Sequence, residues 1–193
     1  MTAFADSADV ECQSAVERSL QAPEFTAAAK ILLDALRSRL LTQLGQGAGI
    51  EALIGRYREA IDSLVRKAWE IAVPADADLA LIATGGYGRG ELYPHSDIDI
   101  LVCGAESEQQ ANAEAIGRFF STLWDAGLKS SQAVRSVGQC LEASRGDPST
   151  YTALLETRFL AGTEAIATAL ESALHSPQVF EARANFEAKR LEQ

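Results

Sequence analysis

Basic residues are in short supply in this chain. Seventeen Lys and Arg stand against 27 Asp and Glu, leaving a formal net charge of −10 and an isoelectric point near 4.7. Nucleic acid is held by clustered Lys and Arg, so this balance argues against a nucleic-acid acceptor. Cysteine is scarce too: Cys12, Cys103 and Cys140 are far apart and odd in number. They fit neither a disulfide framework nor a zinc site. No apolar run approaches the ~20 residues needed to cross a bilayer. The start, Met1-Thr-Ala-Phe-Ala-Asp6, lacks the basic and apolar regions of a signal peptide. The expectation is a cytoplasmic protein with no membrane partner. With 193 residues, 47% of them hydrophobic, the chain has enough apolar content to bury one core.

What the chain does have is concentrated between residues 79 and 101. Leu79-Ala-Leu-Ile-Ala-Thr84 reads as an apolar strand and Gly85-Gly-Tyr-Gly-Arg-Gly90 as a glycine turn. Glu91-Leu-Tyr-Pro-His-Ser96 reads as a short polar turn of helix ended by Pro94, and Asp97-Ile-Asp-Ile-Leu101 as a second strand. Glycines let backbone N–H groups approach phosphate oxygens. Asp97 and Asp99 alternate along a strand, so both point to one face and can share metal ions, while Ile98 and Ile100 bury the other. This layout is expected of a site for a nucleoside triphosphate and magnesium. It is neither a Walker loop, since no Lys-Ser/Thr follows, nor a dinucleotide fingerprint, since Glu91 stands where its last glycine would fall. Gly85 and Gly86 are candidate phosphate contacts, with a purely steric role in the turn as the alternative. Ser96 either donates to a phosphate oxygen or caps the start of the strand. Arg89 either reaches the triphosphate or lies in solvent. His95 reads as a loop residue, because magnesium prefers oxygen, and Cys103 as a small buried residue.

Strand, glycine pair and Ser96-Asp97-Ile98-Asp99-Ile100 together resemble the nucleotidyltransferase superfamily that includes DNA polymerase beta. The run from Gly85 to Ile100 is similar to the signature of bacterial PII uridylyltransferases. Leu64–Trp69, Leu123–Leu128, Ala133–Ser136 and Leu154–Gly162 fit the same family, so the resemblance covers the chain from about Ile31 onward. It implies transfer of UMP from UTP to a tyrosine hydroxyl of a PII signal protein, with Mg²⁺ held by Asp97 and Asp99 and pyrophosphate released. It also implies that this chain is a fragment, lacking the family's HD and ACT domains. After Leu128 the family usually has a glutamate, and a histidine three residues later; here Lys129 and Gln132 stand at those positions. A third carboxylate is expected there, to complete the metal site and help deprotonate the tyrosine. Lys129 cannot ligate magnesium. It either pairs with Asp97, Asp99 or the triphosphate, or lies on the surface while Asp125, Glu142 or Glu156 supplies the acid. Two alternatives therefore stand: a nucleotide-binding or protein-interaction module with little transferase activity, and adenylyl transfer to another protein.

The rest of the chain is expected to build an α+β fold: a small mixed sheet of the polymerase-beta-like type, flanked by helices. Residues 1–25 read as a weakly ordered acidic leader, 26–75 as a helical hairpin, 76–146 as the nucleotidyltransferase core and 147–193 as C-terminal helices. Leu33, Leu36, Leu40 and Leu44 recur at helical spacing before a Gly45–Gly49 loop, and Ile50 to Trp69 carries a second apolar stripe. Ile116, Phe119, Phe120, Leu123 and Trp124 mark a helix ending at Gly127, with Trp124 assigned to the core. Residues 129–137 read as the third strand. Asp147-Pro148 caps a helix expected to run to Leu160 and stop at Gly162, and Thr163-Glu164 opens another ending near Pro177. A last helix carries Arg183, Lys189 and Arg190. Arg135 and Arg158 are candidates for either triphosphate contact or structural salt bridges.

Overall fold

The computed structural model describes residues 13–21, 24–47 and 49–176. Most of the leader, Cys12 and the last helix with Arg183, Lys189 and Arg190 lie outside the described residues. After a helical stretch over 13–20, the chain forms α1 (Phe25–Gly45), α2 (Ile50–Ala72), β1 (Leu79–Ala83) and α3 (Gly85–Gly88). Then come β2 (Ile98–Gly104), α4 (Glu106–Ala111), α5 (Ala113–Asp125) and β3 (Ser130–Arg135). α6 (Val137–Gly146), α7 (Pro148–Leu155), β4 (Arg158–Gly162) and α8 (Glu164–Leu174) follow. The fold is α+β, with a four-stranded mixed sheet and flanking helices, as the resemblance implied.

The chain divides into two compact units. One gathers the described residues up to 74, with 90–98 and 114–130. Here α1 buries Phe25, Ala29, Leu32, Leu33, Leu36 and Leu40, and α2 buries Leu53, Tyr57, Ile61, Leu64, Val65 and Trp69. These spacings put one apolar stripe on each helix, and the two helices pack against each other. Phe119 on α5 is fully buried and meets the Trp69 ring edge-on, with centroids 5.2 Å apart. Gly127, at φ +84°, lets the chain turn after α5. Trp124 is not core: it is 69% exposed, at the end of α5 and at the edge of its buried stripe.

The other unit gathers residues 75–89, 99–113 and the described residues from 131 onward. Its sheet has the order β3-β2-β1-β4, with β1 antiparallel to both β2 and β4. All five residues of β1 are buried, as is every residue of β2 except the half-buried Asp99. Ala80, Ile82, Leu101 and Cys103 form a core with Cys140 of α6, Leu154 of α7, and Leu170 and Leu174 of α8. The Cys103 thiol shares a hydrogen bond with Cys140 and is buried, and both effects push its pKa up.

The segment after α7 corrects the sequence reading. Helix was expected to Leu160, but α7 ends at Leu155, and Arg158–Gly162 is a strand pairing Ala83 with Arg158 and Ile82 with Phe159. The second edge of β1 needs a partner, and that tertiary demand overrides the local apolar run. α4 and α6 also went unread. Ser136 and Gln139 cap α6 reciprocally, a Ser-x-x-Gln capping box visible in the sequence.

α7 starts as expected, with Asp147 as cap and Pro148 at the first turn. The Thr150 hydroxyl and the Ser149 and Thr150 amides donate to Asp147 and hold its carboxyl below its ordinary 3.8. A depressed folded-state pKa contributes stability above the unfolded value, and that stability is lost as pH falls. Asp147→Ala should therefore melt below wild type at neutral pH, the gap closing as pH drops under about 3.8. Phe119→Ala should cost about 3–5 kcal/mol in chemical denaturation.

Candidate active site

In the sheet unit the glycine run starts where β1 ends. Gly85 takes φ +56°, a conformation that favours glycine, and helical bonding begins at once. Gly88 N donates to Thr84 O at 2.9 Å and Arg89 N to Gly85 O at 3.0 Å. The helical turn thus falls on the glycines themselves, not on Glu91–Ser96, so Pro94 ends no helix. Thr84 N donates to Asp99 O at 3.0 Å, which brings the two strand ends together. A Cβ added to Gly85 would sit 3.1 Å from Asp99 Oδ2, so this carboxylate packs directly on the glycine. Gly85 is buried, while Gly86 and Asp99 are half-buried.

The end of α7 braces the turn. A Cβ on Gly88 would collide with the backbone carbonyl of Glu156, so only glycine permits this approach. The Glu156 carboxylate pairs with the Arg89 guanidinium. Arg158 lies over the Tyr87 ring at 5.2 Å and donates to Tyr87 O at 3.2 Å. Arg158 is therefore a structural brace, and Arg89 has a carboxylate partner rather than lying free in solvent. Spacing alone gave no signal for the pair, since Glu156 lies 67 positions from Arg89.

The helical unit holds the rest of the motif. Arg37 Nε donates to Pro94 O at 2.9 Å, and Tyr57 Oη donates to the same carbonyl at 3.3 Å. This clamp fixes the loop that carries His95, Ser96 and Asp97, all three exposed. Sequence reasoning passed over Tyr57 because an apolar helical stripe is read as core, and it gave Arg37 no role. Lys129 is exposed just before β3, its carbonyl accepting from Ile98 N at 2.9 Å.

Asp97 immediately precedes β2 and Asp99 is its second residue; Ile98 and Ile100 are both buried, as the alternation predicted. Among the described residues, no group of three or more His, Cys, Asp or Glu is placed to hold a metal. Of the candidate third acids, Asp125 and Glu142 are exposed and Glu156 is engaged by Arg89. Of the two carboxylates expected to hold a metal, Asp97 belongs to the helical unit and Asp99 to the sheet unit. A donor set of one or two carboxylates is the kind that suits magnesium, which completes its shell with waters and phosphate oxygens.

The family model of the DUF294 nucleotidyltransferases matches residues 13–140. A bifunctional uridylyltransferase/uridylyl-removing enzyme of Xanthomonas axonopodis pv. citri is 44% identical over 169 residues, covering 88% of this chain and 19% of the relative. Its counterpart of the same name in Pseudomonas fluorescens is 38% identical over 182 residues, covering 94% of this chain and 20% of the relative. The chain thus spans about a fifth of the length of these curated relatives.

Gly88→Ala should test the brace. Its methyl group would force the Glu156 carbonyl away, at a cost of about 1–3 kcal/mol or more in denaturant titrations. Unchanged stability would show that the glycine turn and the α7 end do not need this approach.

Proposed function

The chain belongs to the DUF294 nucleotidyltransferase family, and from that premise we propose that it transfers UMP from UTP to a tyrosine of a PII nitrogen-signalling protein. The observation that carries the reading is the Gly85–Asp99 contact, a glycine turn packed on a carboxylate. The names of the relatives support uridylyl as the group transferred. The sequence motif supports PII as the acceptor.

In this reading Gly85 and Gly86 offer backbone N–H groups to the triphosphate, and Ser96 adds a hydroxyl donor. Asp97 and Asp99 would hold Mg²⁺. Bound magnesium would neutralise charge on the attacking and leaving oxygens. The tyrosine oxygen bonds to the alpha phosphorus as the bond to the beta-bridging oxygen breaks, and pyrophosphate leaves. The phenol, with a pKa of about 10, must surrender its proton near neutral pH, to a carboxylate or to water. Arg89 reaches the triphosphate by exchanging Glu156 for phosphate oxygens. No helix among the described residues is long and apolar enough to cross a membrane; the place of the reaction in this reading is the cytoplasm.

A second reading is favoured by one residue. Lys129 stands where the family's glutamate would be, and a missing third acid suits a module that binds nucleotide with little transfer.

Incubation of the chain with a PII protein, Mg²⁺ and mixed UTP and ATP, followed by intact-mass analysis, separates these readings. A uridylyl adduct on PII is expected, and Asp97→Asn with Asp99→Asn should abolish it. Undiminished adduct from the double variant would overturn the site assignment. An adenylyl adduct would change the base, and nucleotide binding with no adduct would favour the module.

A further inference from the structure

The helical unit contains a small cleft of about 120 Å³ beside the Pro94 clamp. Arg37, Tyr57, His95, Ser96, Leu128 and Lys129 are among the residues that line it. No Asp or Glu lines it, although the whole chain carries a net charge of −10. Its volume is well below the roughly 300–1,000 Å³ of pockets that take drug-sized ligands. The cleft suits a single small group.

Its chemistry is that of an anion receptor. Arg37 spends Nε on Pro94 O and Nη2 on Gly127 O, two neutral acceptors that leave its charge in place. Its ion pair with Asp34 is stretched to 3.7 Å, and that carboxylate is 71% exposed, so water screens most of the pair. Lys129 forms no ion pair with another described residue. Ser96 adds a hydroxyl and His95 a ring nitrogen, and neither side chain has a partner among the described residues. Two positive charges, a hydroxyl and an imidazole thus face one space with no acid among them. Charge-assisted donors of this kind are what an oxyanion requires.

We propose that this cleft is a phosphoryl-oxyanion site in which Lys129 and Ser96 contact the anion and Arg37 supplies a fixed charge behind them. Lys129 is then a ligand-binding residue rather than a failed metal ligand. The anion arrives either as free pyrophosphate or as the phosphate tail of a nucleotide. The inference rests on the nucleotidyl-transfer reading only for the choice of phosphate as the anion.

Calorimetric titration of the full chain with pyrophosphate, UTP and UMP tests it, using wild type, Lys129→Met, Lys129→Glu and Lys67→Met. The last removes one positive charge elsewhere on α2, from a residue paired with Glu70 at 3.4 Å. Pyrophosphate should bind wild type, weaken about tenfold in Lys129→Met and more in Lys129→Glu, and be unchanged in Lys67→Met. Equal binding by wild type and Lys129→Met, no pyrophosphate binding at all, or an equal loss in Lys67→Met would overturn the site. If Lys129→Met melts early, Ser96→Ala replaces it, with weakening again expected and full affinity overturning the site. A parallel loss for UTP but not UMP would show that the phosphate arrives on a nucleotide; a loss for pyrophosphate alone would identify the free ion. Nucleotide binding without Lys129-dependent pyrophosphate binding would sink this proposal and spare the transfer reading. Lys129-dependent pyrophosphate binding without nucleotide binding would do the reverse.

Discussion

The sheet unit depends on a strand that can face water nowhere. Leu79-Ala-Leu-Ile-Ala83 has no polar side chain, is buried throughout, and is bonded along both edges. A five-residue strand with these demands leaves its neighbours little freedom. β2 must arrive antiparallel on one side and β4 on the other, with glycine at 162 because any side chain there would strike the Leu79 carbonyl. Once those partners are in place, the exit from β1 is fixed, and Thr84 bonds to Asp99 across it. The meeting of Gly85 with Asp99, and of Gly88 with Glu156, follows from sheet pairing. The geometry of the turn is set by the packing of a strand that carries no polar side chain.

Much of this was legible in advance. The helical hairpin, the first three strands and the Asp147-Pro148 start had strong local signals: a 3.6-residue stripe, short apolar runs, and a capping residue followed by proline. β4 was not legible, because Phe159 and Leu160 continue the apolar pattern of Leu154 and Leu155, and only the open edge of β1 turns them into a strand. The position of the helical turn was misjudged because glycines are poor helix formers. Here Gly85 is needed at φ +56° and Gly88 against a carbonyl, and those two local demands outweigh propensity. Trp124 shows the same weakness on a helix surface: a large aromatic beside a buried leucine is counted as core, although adjacent helical positions point about 100° apart.

Charges are arranged differently in the two units. Around the glycine turn both arginines are answered by a neighbour: Arg89 by Glu156, and Arg158 by the Tyr87 ring and carbonyl. In the helical unit Lys129 and Arg37 face a cleft with no acid in its lining. Balanced charges hold backbone in place, whereas charge left exposed or loosely paired, as Arg37 is with Asp34 at 3.7 Å, stays open to an anion.

The Pro94 carbonyl carries a consequence for anyone who would cut or transplant this motif. It is held by donors 57 and 37 positions earlier in the chain, on α1 and α2. The run from Gly85 to Ile100 is therefore not a portable cassette. Grafted elsewhere, or freed from the first two helices by trimming, it would keep its glycines and aspartates but lose the donors that fix its loop. Damage to Arg37 or Tyr57 would then read in a genetic screen as a lesion of the motif itself, although neither residue belongs to it.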